Sequence, residues 1–129
     1  MMKLGDTFLG EVVGHGKHLH VIISNPTETG CAVVLTLVAT YDGYQNDTCI
    51  LRPSDGHPFI DHLSYVAYES AVLYPVAKLE TLKKNGEIKP MPPLSPVVIE
   101  RILEGADKTS SRLMNDCWLV LHDQKLVSH

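Results

Sequence analysis

The sequence predicts a mainly β domain, a small barrel, followed by helices. Three observations carry this reading. Apolar and polar residues alternate with a period of two in His18 to Ser24 and again in Ser64 to Tyr68. Turn signals recur at close spacing through the first half: Gly5-Asp6, Asn25-Pro26, Asp42-Gly43 and Asn46-Asp47. After Pro90, Pro92 and Pro93 the pattern changes to helical spacing, opened by Ser95-Pro96 as an N-cap and a first-turn proline.

Each element follows from its residues. Thr7 to Val13 mixes β-branched and aromatic residues between glycines and reads as the first strand. His18 to Ser24 is the second, with Leu19, Val21 and Ile23 on one face. Cys31 to Val38 is apolar almost throughout, as a strand covered on both faces requires. Thr48 to Leu51 is a short strand, and Arg52 to Pro58 is a polar loop. Ser64 to Tyr68 is a further strand, and Ala71 to Leu79 another, with Pro75 placing it at an edge or a bulge. So few strands would leave a sandwich with open edges, which favours closure into a barrel. Val98, Ile99, Ile102 and Leu103 share one face of the first helix, and Gly105 supplies its stop. A second helix is expected from about Ser110 to His122, with Leu113, Met114, Cys117, Trp118 and Leu121 on one face. Its WLVL stretch is also compatible with a strand. One domain over residues 1–129 results, with the barrel at about 5–82 and the helical part at about 94–122.

Composition narrows the function classes. The chain has 129 residues, 44% hydrophobic and 20% charged, which suits one core that needs no staples. A net charge of −4 exerts no general pull on nucleic acid or anionic membrane, so any RNA contact has to be local. Three cysteines without a CxxC pair argue against a disulfide framework and for a reducing compartment. Cys31 and Cys49 lie in apolar runs and are expected to be inert core residues. The start, Met1-Met2-Lys3-Leu4-Gly5-Asp6, has no signal-peptide pattern, and no apolar run is long enough to span a bilayer. The expectation is a cytoplasmic protein without membrane association.

The chemistry concentrates in histidines. His15, His18 and His20 fall within six residues, and His57 and His62 bracket HPFIDH. On a strand, His18 and His20 emerge on the same face. Imidazole titrates near neutral pH, so two of them can take and give a proton. RNA cleavage by the 2′-hydroxyl needs such a pair and a cation at the phosphate, which Lys17 or Arg52 can supply. HxH beside Asp61 or His62 is also a zinc-type ligand set. The plain alternative is that these rings bond to backbone or water. His122 and His129 read as surface residues. Tyr41, Tyr44, Tyr65 and Tyr68 can stack on bases, or can serve as barrel and loop residues. P-loop, GxGxxG, GxSxG and HExxH patterns are all missing.

The order of segments resembles the PemK/MazF family of toxin ribonucleases. GDTFLGEV (Gly5 to Val12) is similar to that family's opening strand, followed by HLHVIISNP (His18 to Pro26) and CAVVLTLVATY (Cys31 to Tyr41). SYVAYESAVLYPVAKLETL (Ser64 to Leu82) looks like its late strands, and LSPVVIERILEGA (Leu94 to Ala106) like its closing helix. The resemblance covers residues 5 to 106. It implies an SH3-like barrel, a homodimer, metal-independent RNA cleavage and an antitoxin partner, with no cofactor. Two departures qualify it. Where the family carries Arg-Pro before the second strand, this chain has His18 and Leu19. Where the family carries Thr-Ser after the third strand, it has Ala39 and Thr40. The implied site is therefore a rebuilt one. His18 or His20 serves as acid or base, Thr40 bonds the phosphate, and His57 or His62 completes the set. Lys17, Arg52, Tyr41 and Tyr65 then bind substrate. A barrel that has lost catalysis and binds a protein partner is the competing expectation, and a histidine-ligated metal protein is the third.

Overall fold

The computed structural model describes residues 2–109 and 113–128. Seven strands and three helices follow one another as β1 (Thr7–Gly10), β2 (His18–Ile22), β3 (Ala32–Thr40), β4 (Ile50–Leu51), β5 (Ser64–Val66), β6 (Val72–Pro75), α1 (Val76–Lys84), β7 (Lys89–Met91), α2 (Pro96–Lys108) and α3 (Asn115–Asp123). All pairings are antiparallel, in the order β4-β5-β3-β2-β1-β7. β3 is the longest strand and organises the sheet. One of its edges holds β2; the other holds β6 along its first half and β5 along its end. Among the described residues no pairing joins β4 to β7, so the sheet stays open where the sequence suggested a closed barrel.

Openness is tolerated because both faces are covered. Leu9, Leu19, Val21, Ile23, Val34, Val38 and Val66 form one face, packed with Val98, Ile99, Ile102 and Ala106 of α2 and Cys117 and Leu121 of α3. Phe8, Ile22, Val33, Leu35 and Leu37 form the other, covered by Met2, Val13, Ile88 and Leu79 of α1. This explains why β3 reads as a nearly continuous apolar run and why all four residues of β1 are buried. No helix is long and apolar enough to cross a membrane among the described residues.

Several sequence expectations are corrected. Ala71 to Leu79 is not one strand: β6 ends at Pro75, and Val76 begins α1. Pro75 terminates the ladder, and the Ala-Lys-Leu-Glu composition beyond it favours helix, with Lys83 and Lys84 at the negative end of the dipole. The proline-rich connection holds β7, which pairs with β1. Gly105 does not stop α2, which runs on to Lys108. A Cβ there would collide with the Tyr68 hydroxyl, so Gly105 is a packing residue. Ser95 does cap α2, its side chain accepting from the Val98 N–H. The second helix begins at Asn115, which settles the WLVL stretch as helical. Its expected start at Ser110 lies outside the described residues, as does His129. Cys31 is exposed rather than core, at φ +44° just after Gly30 in the turn that opens β3, whereas Cys49 is buried and burial pushes its thiol up.

Candidate functional site

β2 begins, β3 ends and β5 begins at one end of the sheet. Leu19 pairs with Val38, and Thr40 with Ser64, so the three strand termini lie side by side. A cleft of about 220 Å³ opens there. Lys17, His18, Thr40, His62 and Ser64 supply its polar lining, and Leu19, Val38, Phe59 and Ile60 most of its apolar lining.

The best-defined chemistry is a chain of three groups. Asp61 Oδ1 lies 2.6 Å from His62 Nδ1, and His62 Nε2 lies 2.8 Å from Thr40 Oγ1. The carboxylate accepts the Nδ1 proton, and in that tautomer Nε2 is an acceptor aimed at a hydroxyl. That bond holds the Asp61 carboxyl below its usual range. A base pointed at a hydroxyl and oriented from behind by a third group is the arrangement that proton abstraction requires. His18 stands at the rim. Its Nε2 is 2.7 Å from the His15 carbonyl and donates to it, so Nδ1 is the nitrogen free to act. Lys17 adds a cation beside it.

The other two histidines serve the fold. His20 is fully buried and stacks on Phe8, with ring centroids 4.8 Å apart and planes 6° from parallel. Its Nε2 accepts the Val13 N–H at 3.0 Å, and its Nδ1 donates to the His18 carbonyl at 3.0 Å. Both nitrogens are used and the ring is neutral, because burial lowers its proton affinity. It thereby pins the loop between β1 and β2, which carries Lys17 to the cleft. His57 is also buried. Its Nδ1 accepts the Phe59 N–H at 3.1 Å, while Nε2 donates to the Pro92 carbonyl at 2.9 Å and lies 3.0 Å from Thr7 Oγ1. Burial lowers its proton affinity too. This ring clamps the 52–62 loop to β1 and to the segment after β7. Neither His20 nor His57 lines the cleft.

Three expected substrate contacts also lie elsewhere. Arg52 is outside the cleft, where its N–H bonds to Asp55. Tyr41 and Tyr65 meet edge to face at 6.4 Å, away from the cleft, and Asp42 and Glu69 act on the Tyr65 hydroxyl after burial as the main cause of its raised pKa. Those carboxylates make a poor seat for a phosphate. Tyr68 is core, its hydroxyl donating to the Ile102 carbonyl at 2.7 Å. For the metal reading, the HxH pair cannot converge, since His20 spends both nitrogens on backbone. Among the described residues no three histidine, cysteine or carboxylate groups come together as ligands.

The chain matches no family model, no curated protein and no solved structure. Its own geometry therefore carries the functional argument. Sequence reasoning missed two participants. Asp61 was weighed only as a metal ligand, although a carboxylate next to a histidine was the available signal. Phe59 is the other: a lone aromatic residue in a loop without periodicity carries no sequence signal for its exposure.

Proposed function

We propose that this cleft cleaves RNA phosphodiesters without a metal, by acid–base chemistry of two imidazoles, in a divergent protein of PemK/MazF type. The observation that carries the reading is His62 Nε2, oriented by Asp61 and aimed at a hydroxyl in a cleft shared with His18 and Lys17. On binding, a ribose 2′-hydroxyl replaces the Thr40 hydroxyl at His62 Nε2, and the released Thr40 hydroxyl turns to the phosphate. His62 takes the proton from the 2′-oxygen as that oxygen attacks phosphorus. His18 gives a proton to the departing 5′-oxygen, and Lys17 and Thr40 hold the phosphate oxygens. The reading carries the rest of the family picture as proposals: an SH3-like sheet, a homodimer, an antitoxin partner and a cytoplasmic setting.

The test is incubation of the purified chain with a single-stranded RNA in excess chelator. Cleavage leaving a 2′,3′-cyclic phosphate, lost in His62→Ala and lost when the substrate is 2′-deoxy at the scissile nucleotide, supports the reading. Intact RNA over the same interval rejects it. A second reading, a non-catalytic binding module, draws on the exposed Leu63, next to β5, and the exposed Tyr44. It predicts that His62→Ala leaves partner capture unchanged.

A further inference from the structure

The HPFIDH segment contains an aromatic ring that neither the fold nor the acid–base scheme uses. Ile60 plugs the core at 3% exposure, while Phe59, one position earlier, is left 40% exposed and belongs to neither core cluster. A phenylalanine ring held out of the core forgoes part of the stabilisation that full burial would give it. Its backbone is nevertheless fixed, because the Phe59 N–H donates to His57 Nδ1 and the Ile60 N–H to the His57 carbonyl. The buried His57 clamp thus sets where the ring stands. It lines the same cleft as Leu19, Val38 and Ile60 and as Lys17, His18 and His62.

We infer that Phe59 is the seat of a nucleobase, the residue on which the base next to the scissile phosphate stacks. The inference rests on the phosphodiester reading and gives that site its base-binding half. A cleft lined by an aromatic ring and aliphatic side chains together with Lys17 and two imidazoles matches one class of occupant: a planar base attached to an anionic phosphate. At about 220 Å³ the cleft is smaller than the roughly 300–1,000 Å³ of sites for drug-sized ligands, which suits a single base and not a stacked run. None of the four tyrosines that the sequence offers for stacking lines the cleft, and Tyr65 has Glu69 and Asp42 acting on it.

The experiment measures binding apart from cleavage. A fluorescent single-stranded oligodeoxynucleotide lacks the 2′-hydroxyl and cannot be cut by this chemistry. Its Kd is measured by polarisation against wild type, Phe59→Ala and Phe59→Leu, with Tyr41→Ala and Tyr65→Ala as controls. An otherwise identical abasic strand is run in parallel. Phe59→Ala is expected to weaken binding by roughly fivefold to a hundredfold, the range of one base stacked on one aromatic ring. Phe59→Leu, which keeps apolar cover but no ring face, is expected to fall short of wild type as well. The tyrosine variants should stay within about twofold of wild type, and the abasic strand should bind wild type and Phe59→Ala alike. Equal binding of the intact strand by wild type and Phe59→Ala overturns the inference, as does an equal loss with the abasic strand. A protein that shows the Phe59 dependence but leaves RNA intact keeps the base seat and rejects the cleavage reading. One that cuts RNA with no Phe59 dependence in binding does the reverse.

Discussion

The two histidine-bearing segments, HLH at the start of β2 and HPFIDH before β5, look alike in sequence and divide their work in the same way. Each sends one imidazole into the core and one to the cleft. His20 and His57 are buried, neutral and bonded at both nitrogens, whereas His18 and His62 stand at the rim. The means differ. In β2 the strand fixes the outcome: His20 is paired and covered by Phe8, while His18 is the terminal residue where cover runs out. In the loop no alternation operates, and the His57 clamp itself determines where Phe59, Asp61 and His62 emerge. A histidine cluster therefore need not be one site. Here it is a site together with its supports.

That division can be broken or sharpened by experiment. The largest expected effect is on chemistry. His62→Ala should lower single-turnover RNA cleavage by roughly 10²–10⁴ with little change in unfolding midpoint, since the ring is half exposed. Equal losses of activity and stability would erase the distinction between the pairs.

The supports should show the opposite profile. His20→Ala removes a fully buried ring and leaves the Val13 N–H and the His18 carbonyl without their partner. A cost of about 2–4 kcal/mol in urea unfolding is expected, and a similar one for His57→Ala. A change below about 0.5 kcal/mol would mean that the rings do not pin their loops.

Stability should also depend on pH in a stated direction. His20 and His57 have folded pKa values below the ordinary 6.5, with burial as the main cause. Above that value both states are neutral and the two rings contribute no pH dependence. Below it the unfolded chain takes up protons that the folded chain refuses, so stability falls as pH drops. The slope is at most about 1.4 kcal/mol per pH unit for each ring. Asp55, whose folded pKa is lowered despite burial by its bonds to Arg52 and Arg101, adds its own loss only near and below the carboxylate range. The window from 6.5 down to about 5 therefore reports the histidines. His20→Phe should flatten the curve there, and an unchanged slope would show that His20 titrates normally.

The smallest effect belongs to the rim. His18→Gln should change unfolding free energy by less than about 0.5 kcal/mol, because the ring is only partly covered, while slowing cleavage of a substrate with an unactivated leaving group. An RNA analogue with a good leaving group should be cut at nearly the wild-type rate, and failure to rescue would remove the acid role from His18.

Much of the fold was legible where the pattern is local. The alternation of HLHVIIS marked β2, the apolar run marked β3, and Ser95-Pro96 marked the start of α2. The misreadings came where a local pattern met a packing demand. Ala71 to Leu79 is apolar enough for a strand, yet the ladder ends at Pro75. Gly105 looks like a helix stop, yet Tyr68 requires the space above it. For the site, His18, His62 and Lys17 could be named from residue chemistry, and Thr40 only through the family resemblance. Sorting them from His20 and His57 could not, because exposure is set by what crosses over a residue from distant parts of the chain.

The sequence by itself determined the β-then-α order, the chemical inventory and the two short segments in which the imidazoles lie, because these depend on neighbours a few positions apart. Only the tertiary structure decided which rings face solvent, that Asp61 stands behind His62, and that Phe59 and not a tyrosine walls the cleft. The reason is geometric: burial and aim depend on three strand ends and a clamped loop, which are far apart in the chain and meet only when the sheet has formed.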